Sequence, residues 1–182
     1  DVTSPVVKGH GVKVRVKAAG LNFPDTLIIE GKYQLKPTMP FSPGGEMSGE
    51  VIEIGEKVTR FKPGDRVAGL TGYGAFAEEV VVPEQNILPI PESMSDEKAA
   101  AFSMVYGTSY YALKQRANIQ PGETLLVLGA SGGVGLATVE LGKAMGAHVI
   151  AAASTAEKLA VAKEAGADEL IISGSIFDQG AR

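Results

Sequence analysis

The run Val127 to Lys158, "VLGASGGVGLATVELGKAMGAHVIAAASTAEK", constrains the fold more than any other stretch of this chain. It reads as a strand, a glycine-rich turn, a helix from about Val134 to Met145 closed by Gly146, and a second strand, "HVIAAA". A helix from Thr155 to Ala165 closed by Gly166, and a third strand, "ELIIS", follow. Strands joined by helical crossovers must lie parallel, with the helices against the faces of the sheet. The segment is therefore βαβαβ. Ala130, Gly132 and Gly135 satisfy A-x-G-x-x-G, with Ser131, Gly133 and Val134 between them. Bare backbone N–H groups at such a helix start cradle a pyrophosphate, and missing side chains let the phosphates approach. A tight turn that merely packs helix against strand is the alternative reading of the same glycines.

A dinucleotide fold usually carries Asp or Glu at the tip of the second strand, roughly 20 residues past the glycines, to hold the adenine ribose hydroxyls. Here the chain has Ala153, Ser154 and Thr155, and Lys158 follows. Ser154 with Glu157 reads as a capping box, which is enough to explain both. Lys158 sits against local preference, because a cation in the first turn of a helix faces the positive end of the macrodipole. A 2'-phosphate on the adenine ribose would offset that cost through a charge-assisted contact. An ordinary solvated lysine is the other possibility. The missing carboxylate tips the choice of cofactor to NADPH.

Upstream, Val12, Val14, Val16 and Ala18 alternate with Lys13, Arg15 and Lys17, the period-2 pattern of a strand with one buried face. "MSGEVIEIG", "DRVAGL" and "AFAEEVVV" are further β-rich runs, separated by the turn residues of "FKPGD" and "LTGYG". The segment from Asp1 to about Pro91 is thus mostly β, expected as a compact, partly open barrel. Ser95 is placed to cap a helix over Asp96 to about Phe102, and a second helical stretch is expected from Thr108 to about Ala117. A net charge of -4 argues against nucleic acid as a partner. No run is long and apolar enough for a membrane span. The chain has no cysteine, which removes disulfides, thiolate nucleophiles and sulfur-based zinc sites, and fits a cytoplasmic protein.

"GLNFPD", "PFSPGGEMSGEV", "GDRV", "GAFAEE", "YGTSYYAL" and "GASGGVG" occur in this order. Together they resemble the zinc-independent quinone oxidoreductases, the zeta-crystallin-like branch of the medium-chain dehydrogenase/reductase superfamily. The resemblance implies an α/β chain: a GroES-like β-barrel substrate domain over 1–104, then the first half of a Rossmann-type NADPH-binding domain over 105–182. In zinc-dependent relatives a cysteine and a histidine would stand at Asn22 and Gly45, so the implied activity is metal-free. NADPH would reduce a quinone or conjugated carbonyl held between the two domains. The resemblance assigns Asn22 and Asp25 to the cleft floor, Tyr33 to the substrate mouth and Thr108 to the nicotinamide side, and it implies a homodimer. Asn22 to Asp25 also reads as plain turn chemistry, and Tyr33 as a packing aromatic. Leu27 and Ser173 depart from the family pattern, where aromatics are common. An enoyl-thioester reductase, or a relative that keeps the fold without turnover, are the competing readings. A dinucleotide sheet has a second βαβαβ half, so the chain is expected to be truncated at both ends, with the strand "TLLVLG" central in the complete sheet.

Overall fold

The alternating run near the start forms the longest strand, β1 (Gly11–Gly20), with Val12 and Val14 fully buried on one face. The structure, a computed structural model, describes residues 3–173. Two units divide the chain, Asp1–Met104 and Val105–Arg182.

In the first unit β1 is followed by β2 (Glu46–Ile54), β3 (Arg66–Leu70), β4 (Glu79–Pro83) and β5 (Ile87–Pro89). They pair antiparallel in the order β4-β1-β2-β3-β5. Among the described residues β4 and β5 stay unpaired with each other, so the sheet is open as expected. Its core holds Val12, Val14, Met47, Val51, Val67, Val82 and Ile87, the apolar set that alternation puts on one side of each strand. Two short helices complete the unit. Helix α1 (Phe23–Ile29) has Pro24 in its first turn and grows from the stretch that also reads as a turn. Helix α2 (Asp96–Ala100) starts as expected at Ser95, whose hydroxyl accepts the Lys98 N–H at 3.3 Å. It is docked on β2 by Ser48, whose hydroxyl donates to the Asp96 carbonyl at 2.7 Å.

Helix α3 (Ser103–Tyr110) begins earlier than the expected Thr108 and passes into a π-helical turn over Tyr111–Arg116. Then come β6 (Thr124–Leu128), α4 (Gly133–Ala144), β7 (His148–Ala153), α5 (Ala156–Glu164) and β8 (Glu169–Ile172). The three strands pair parallel in the order β6-β7-β8. Val127, Val139, Val149, Ala151, Leu159 and Ala162 are buried between sheet and helices. β6 lies at the edge of this sheet, and its Leu126 and Leu128 are exposed.

One local expectation is corrected. Helix α5 is capped by Thr155 and not by Ser154: the Thr155 hydroxyl accepts the Lys158 N–H at 3.3 Å. Ser154 is one residue too early for that bond, so the box with Glu157 does not form. The segment "FDQGAR" lies outside the described residues.

Candidate functional site

Between β6 and α4 the chain reverses at Gly129, whose φ of 63° suits glycine. The turn is held by the Gly132 N–H donating to the Gly129 carbonyl at 3.0 Å. It is tied to the neighbouring strand by the Ala130 N–H donating to the Ala152 carbonyl at 3.1 Å. Ala130 is fully buried. The three glycines past it have different reasons to be glycine. At Gly135 a side chain would overlap the Gly129 carbonyl and stand 2.8 Å from the Ala130 Cα, so close helix-strand packing demands its absence. At Gly133 it would press on Val105 at 3.0 Å. At Gly132 it would meet only the Gly129 carbonyl at an ordinary 3.5 Å, on a backbone of φ -80° and ψ 166° that any residue adopts. Among the described residues nothing requires glycine there. The first intrahelical bond of α4 runs from the Leu136 N–H to the Gly132 carbonyl at 2.8 Å. The N–H groups of Gly133, Val134 and Gly135 precede it and no side chain caps them, leaving an exposed, positively polarised helix start. Ser131, half-buried, completes the turn.

A hydroxyl braces this helix start from α3. Buried Ser109 donates to the Val134 carbonyl at 3.0 Å and accepts from Thr138 at 2.9 Å. Thr108, its neighbour, is exposed. The sequence reading names Thr108 and misses Ser109, because nothing in "YGTSYYAL" says which hydroxyl turns inward.

At the C-terminal end of β7 the exposed Lys158 donates its Nζ to the Ser154 hydroxyl at 3.1 Å. The two residues singled out in "STAEK" are thus brought together just past the end of the strand to which the glycine turn is bonded, Ser154 directly after β7 and Lys158 in the first turn of α5. Parallel pairing of Leu128 with Ala152 puts the ends of β6 and β7 at the same edge of the sheet, the edge at which ligands of such sheets bind.

In the first unit, Asn22 caps α1. Asp25, three residues on, accepts the Asn22 backbone N–H at 2.8 Å. Asp25 is 1% exposed. It lines, with Tyr33, a cleft of about 260 Å³ whose other walls include Pro24, Ile28, Leu35, Leu70 and Met104. Asn22 is linked to this cleft through Asp25 and also meets a group the sequence reading did not assign a role: its side-chain amide donates to the Glu46 carboxylate at 3.1 Å. The other Glu46 oxygen accepts the Met104 N–H at 2.8 Å. Burial raises the Glu46 pKa above its ordinary value; the hydrogen bonds from Met104, Asn22 and Ser103 oppose that shift, and the charge of Asp25 adds to it. Gly45 lies beside Asp25. Among the described residues there is no group of three or more His, Cys, Asp or Glu able to hold a metal ion, and no helix is long and apolar enough to cross a membrane.

An open antiparallel sheet followed by a parallel sheet with a glycine turn at its first crossover is a two-unit architecture of barrel-like and dinucleotide-type folds. Residues 8–92 match the family described as alcohol dehydrogenase GroES-like domain, and residues 133–179 the family described as zinc-binding dehydrogenase. The chain belongs to the medium-chain dehydrogenase/reductase superfamily, in its quinone oxidoreductase branch. It is 50% identical over 162 residues to a quinone oxidoreductase-like protein 2 homolog of Nematostella vectensis, covering 88% of this chain and 44% of that relative. The crystal structure of a Pseudomonas syringae quinone oxidoreductase is 43% identical with a TM-score of 0.88, over 94% of this chain and 53% of that one. The Escherichia coli quinone oxidoreductase complexed with NADPH is 36% identical with a TM-score of 0.86, over 94% and 53%. The chain spans about half the length of the curated relatives it matches.

Proposed function

We propose that this protein is an NADPH-dependent, zinc-free oxidoreductase that reduces quinones or conjugated carbonyls. The observation that carries the reading is the edge of the parallel sheet. An uncapped helix start with free space at Gly132 lies at the same strand ends as the Lys158–Ser154 pair, where a dinucleotide fold otherwise has a carboxylate. The space a Gly132 side chain would fill suits a pyrophosphate, with the N–H groups of Gly133, Val134 and Gly135 as donors and Ala130 and Ser131 shaping the turn. Lys158 and Ser154 suit a 2'-phosphate. Thr108 is assigned to the nicotinamide side. NADPH, when bound, supplies the hydride.

The chain's own residues do the rest. The apolar wall of Pro24, Ile28, Leu35 and Leu70 receives the body of a quinone or enone and keeps water from it. Among the described residues Tyr33 carries the only hydroxyl in the cleft lining, and it donates a hydrogen bond to the substrate oxygen that gains charge as hydride arrives. Asn22 and Asp25 hold the floor. A quinone that takes up a hydride and one proton leaves as the hydroquinone, the proton coming from solvent through the Tyr33 hydroxyl. The absence of cysteine from the chain and the family resemblance extend the reading to a cytoplasmic homodimer.

The test is steady-state turnover of the full-length protein with NADPH and a panel of quinones and enones, before and after chelation. Oxidation of NADPH that depends on one of these acceptors and survives chelation is expected. Tight NADPH binding with no turnover on any acceptor refutes the catalytic reading.

A further inference from the structure

We infer that Glu46 is a positioning residue of the substrate cleft: its buried carboxylate orients the Asn22 amide and fixes the Met104 wall, and through Asn22 it sets the place of Asp25. The inference rests on the reading of Asn22 and Asp25 as substrate-site residues. Glu46 opens β2 and is 1% exposed. Its two oxygens are divided between two segments, one taking the Asn22 Nδ2 and the other the Met104 N–H. Both lead to the cleft. Met104 lines it directly, and the Asn22 backbone N–H is bonded to the carboxylate of Asp25, which lines it as well. The last residue of β1 makes room for this arrangement: a side chain at Gly20 would stand 3.0 Å from the Glu46 Oε2 and 2.5 Å from the Ala100 carbonyl.

Stability alone does not account for a carboxylate here. Among the described residues no cation pairs with it, and burial raises its pKa. For a group whose pKa is raised by folding, the associated stability is fully present below the ordinary carboxylate pKa and is lost as pH rises through the raised value. The ionised form is thus the one that burial disfavours. An amide at this position would accept the Met104 N–H equally well without that charge. It has no second acceptor for the Asn22 amide, because its NH2 group only donates. Only a carboxylate accepts at both ends, and by facing the Asn22 Nδ2 it dictates which end of that amide is nitrogen and which is oxygen. With Glu46→Gln, the introduced NH2 group meets the Asn22 NH2 group, and the Asn22 amide must turn over or move away.

The experiment is a double-mutant cycle of Glu46→Gln and Asn22→Ala in the full-length protein, reading kcat/KM with the best acceptor, NADPH affinity by fluorescence, and thermal melting. Glu46→Gln is expected to melt no lower than the parent at neutral pH, to bind NADPH within twofold of it, and to lose tenfold or more in kcat/KM. The double variant is expected to lose less than the product of the two single losses, because Glu46 acts through Asn22. An unchanged kcat/KM, losses that multiply, or a Glu46→Gln protein that does not fold would each overturn the inference. If Asn22→Ala and Asp25→Ala both leave turnover unchanged, it is the substrate-site reading that fails. If they impair turnover and Glu46→Gln does not, only the role of Glu46 is wrong.

Discussion

Replacing Lys158 by alanine isolates the contact proposed to set the preference for NADPH. A hydrogen bond to a charged group contributes roughly 1.5–3 kcal/mol, and an exposed ion pair only about 0.2–1 kcal/mol. Lys158 is exposed, which favours the lower range, but its Nζ is already steered by the Ser154 hydroxyl, so less side-chain freedom remains to be lost on binding. A loss of about 1–2 kcal/mol with NADPH follows, a reduction of roughly five- to thirtyfold in affinity. NADH lacks the 2'-phosphate and should lose almost nothing. The fold should not confound the measurement: a cation in the first turn of α5 is slightly unfavourable, so Lys158→Ala should melt at the parent temperature or just above it. Fluorescence titrations of both cofactors at low and at high salt form the assay. The preference should also narrow at high salt in the parent protein, since charges at an exposed rim are screened within about 10 Å at 0.1 M. Equal weakening of NADPH and NADH, or a parent protein that binds both alike, would refute the reasoning.

At the helix cap next door, Thr155→Ala should cost about 1 kcal/mol of stability, whereas Ser154→Ala should leave melting unchanged and reduce only the NADPH preference. Gly132→Val should abolish NADPH binding in a protein that still melts normally; Gly135→Ala should instead lower stability by about 1–3 kcal/mol through overlap with the Gly129 carbonyl, and melting plus titration of both variants checks the contrast. Ser109→Ala should destabilise by about 1 kcal/mol or more, because the hydroxyl is buried between the Val134 carbonyl and Thr138. The hydrogen bond from Lys143, with that from the Val149 N–H, holds the Asp168 pKa below its ordinary value, so its contribution to stability is present above the ordinary carboxylate pKa and is lost as pH falls through the depressed one. Asp168→Asn should accordingly melt lower at pH 7 and lose less on acidification, as a pH series of melts would show.

The parallel βαβαβ order was legible because glycine turns and helix stops punctuate it: Gly129, Gly146 and Gly166 all adopt positive φ at the ends of their elements. Ser95 announced α2 correctly because a capping hydroxyl three residues before an N–H is a local signal. Ser154 misled for the same reason, since Thr155 offers an equal hydroxyl and backbone geometry alone decides between them. Helix α1 was hidden because Asn-Phe-Pro-Asp suits a turn and a helix start alike; its formation depends on Ile28 being buried and on Asp25 accepting the Asn22 N–H. The π-helical turn after Tyr110 has no counterpart in residue spacing. Glu46 was beyond reach altogether: whether a glutamate opening a strand is solvated or enclosed depends on Gly20, Asn22 and Met104, distant in sequence and joined to it only by the fold.

The single backbone bond from Ala130 to Ala152 has a consequence for how such a protein changes over generations. The glycine turn on one side of it tolerates little at Gly133 and Gly135, where a side chain would press on Val105 and on the Gly129 carbonyl. Residues 154–158 on the other side are solvent-facing. On the proposed reading, selection for a different redox pool can therefore rewrite "STAEK" while the turn assigned to the phosphates is inherited unchanged.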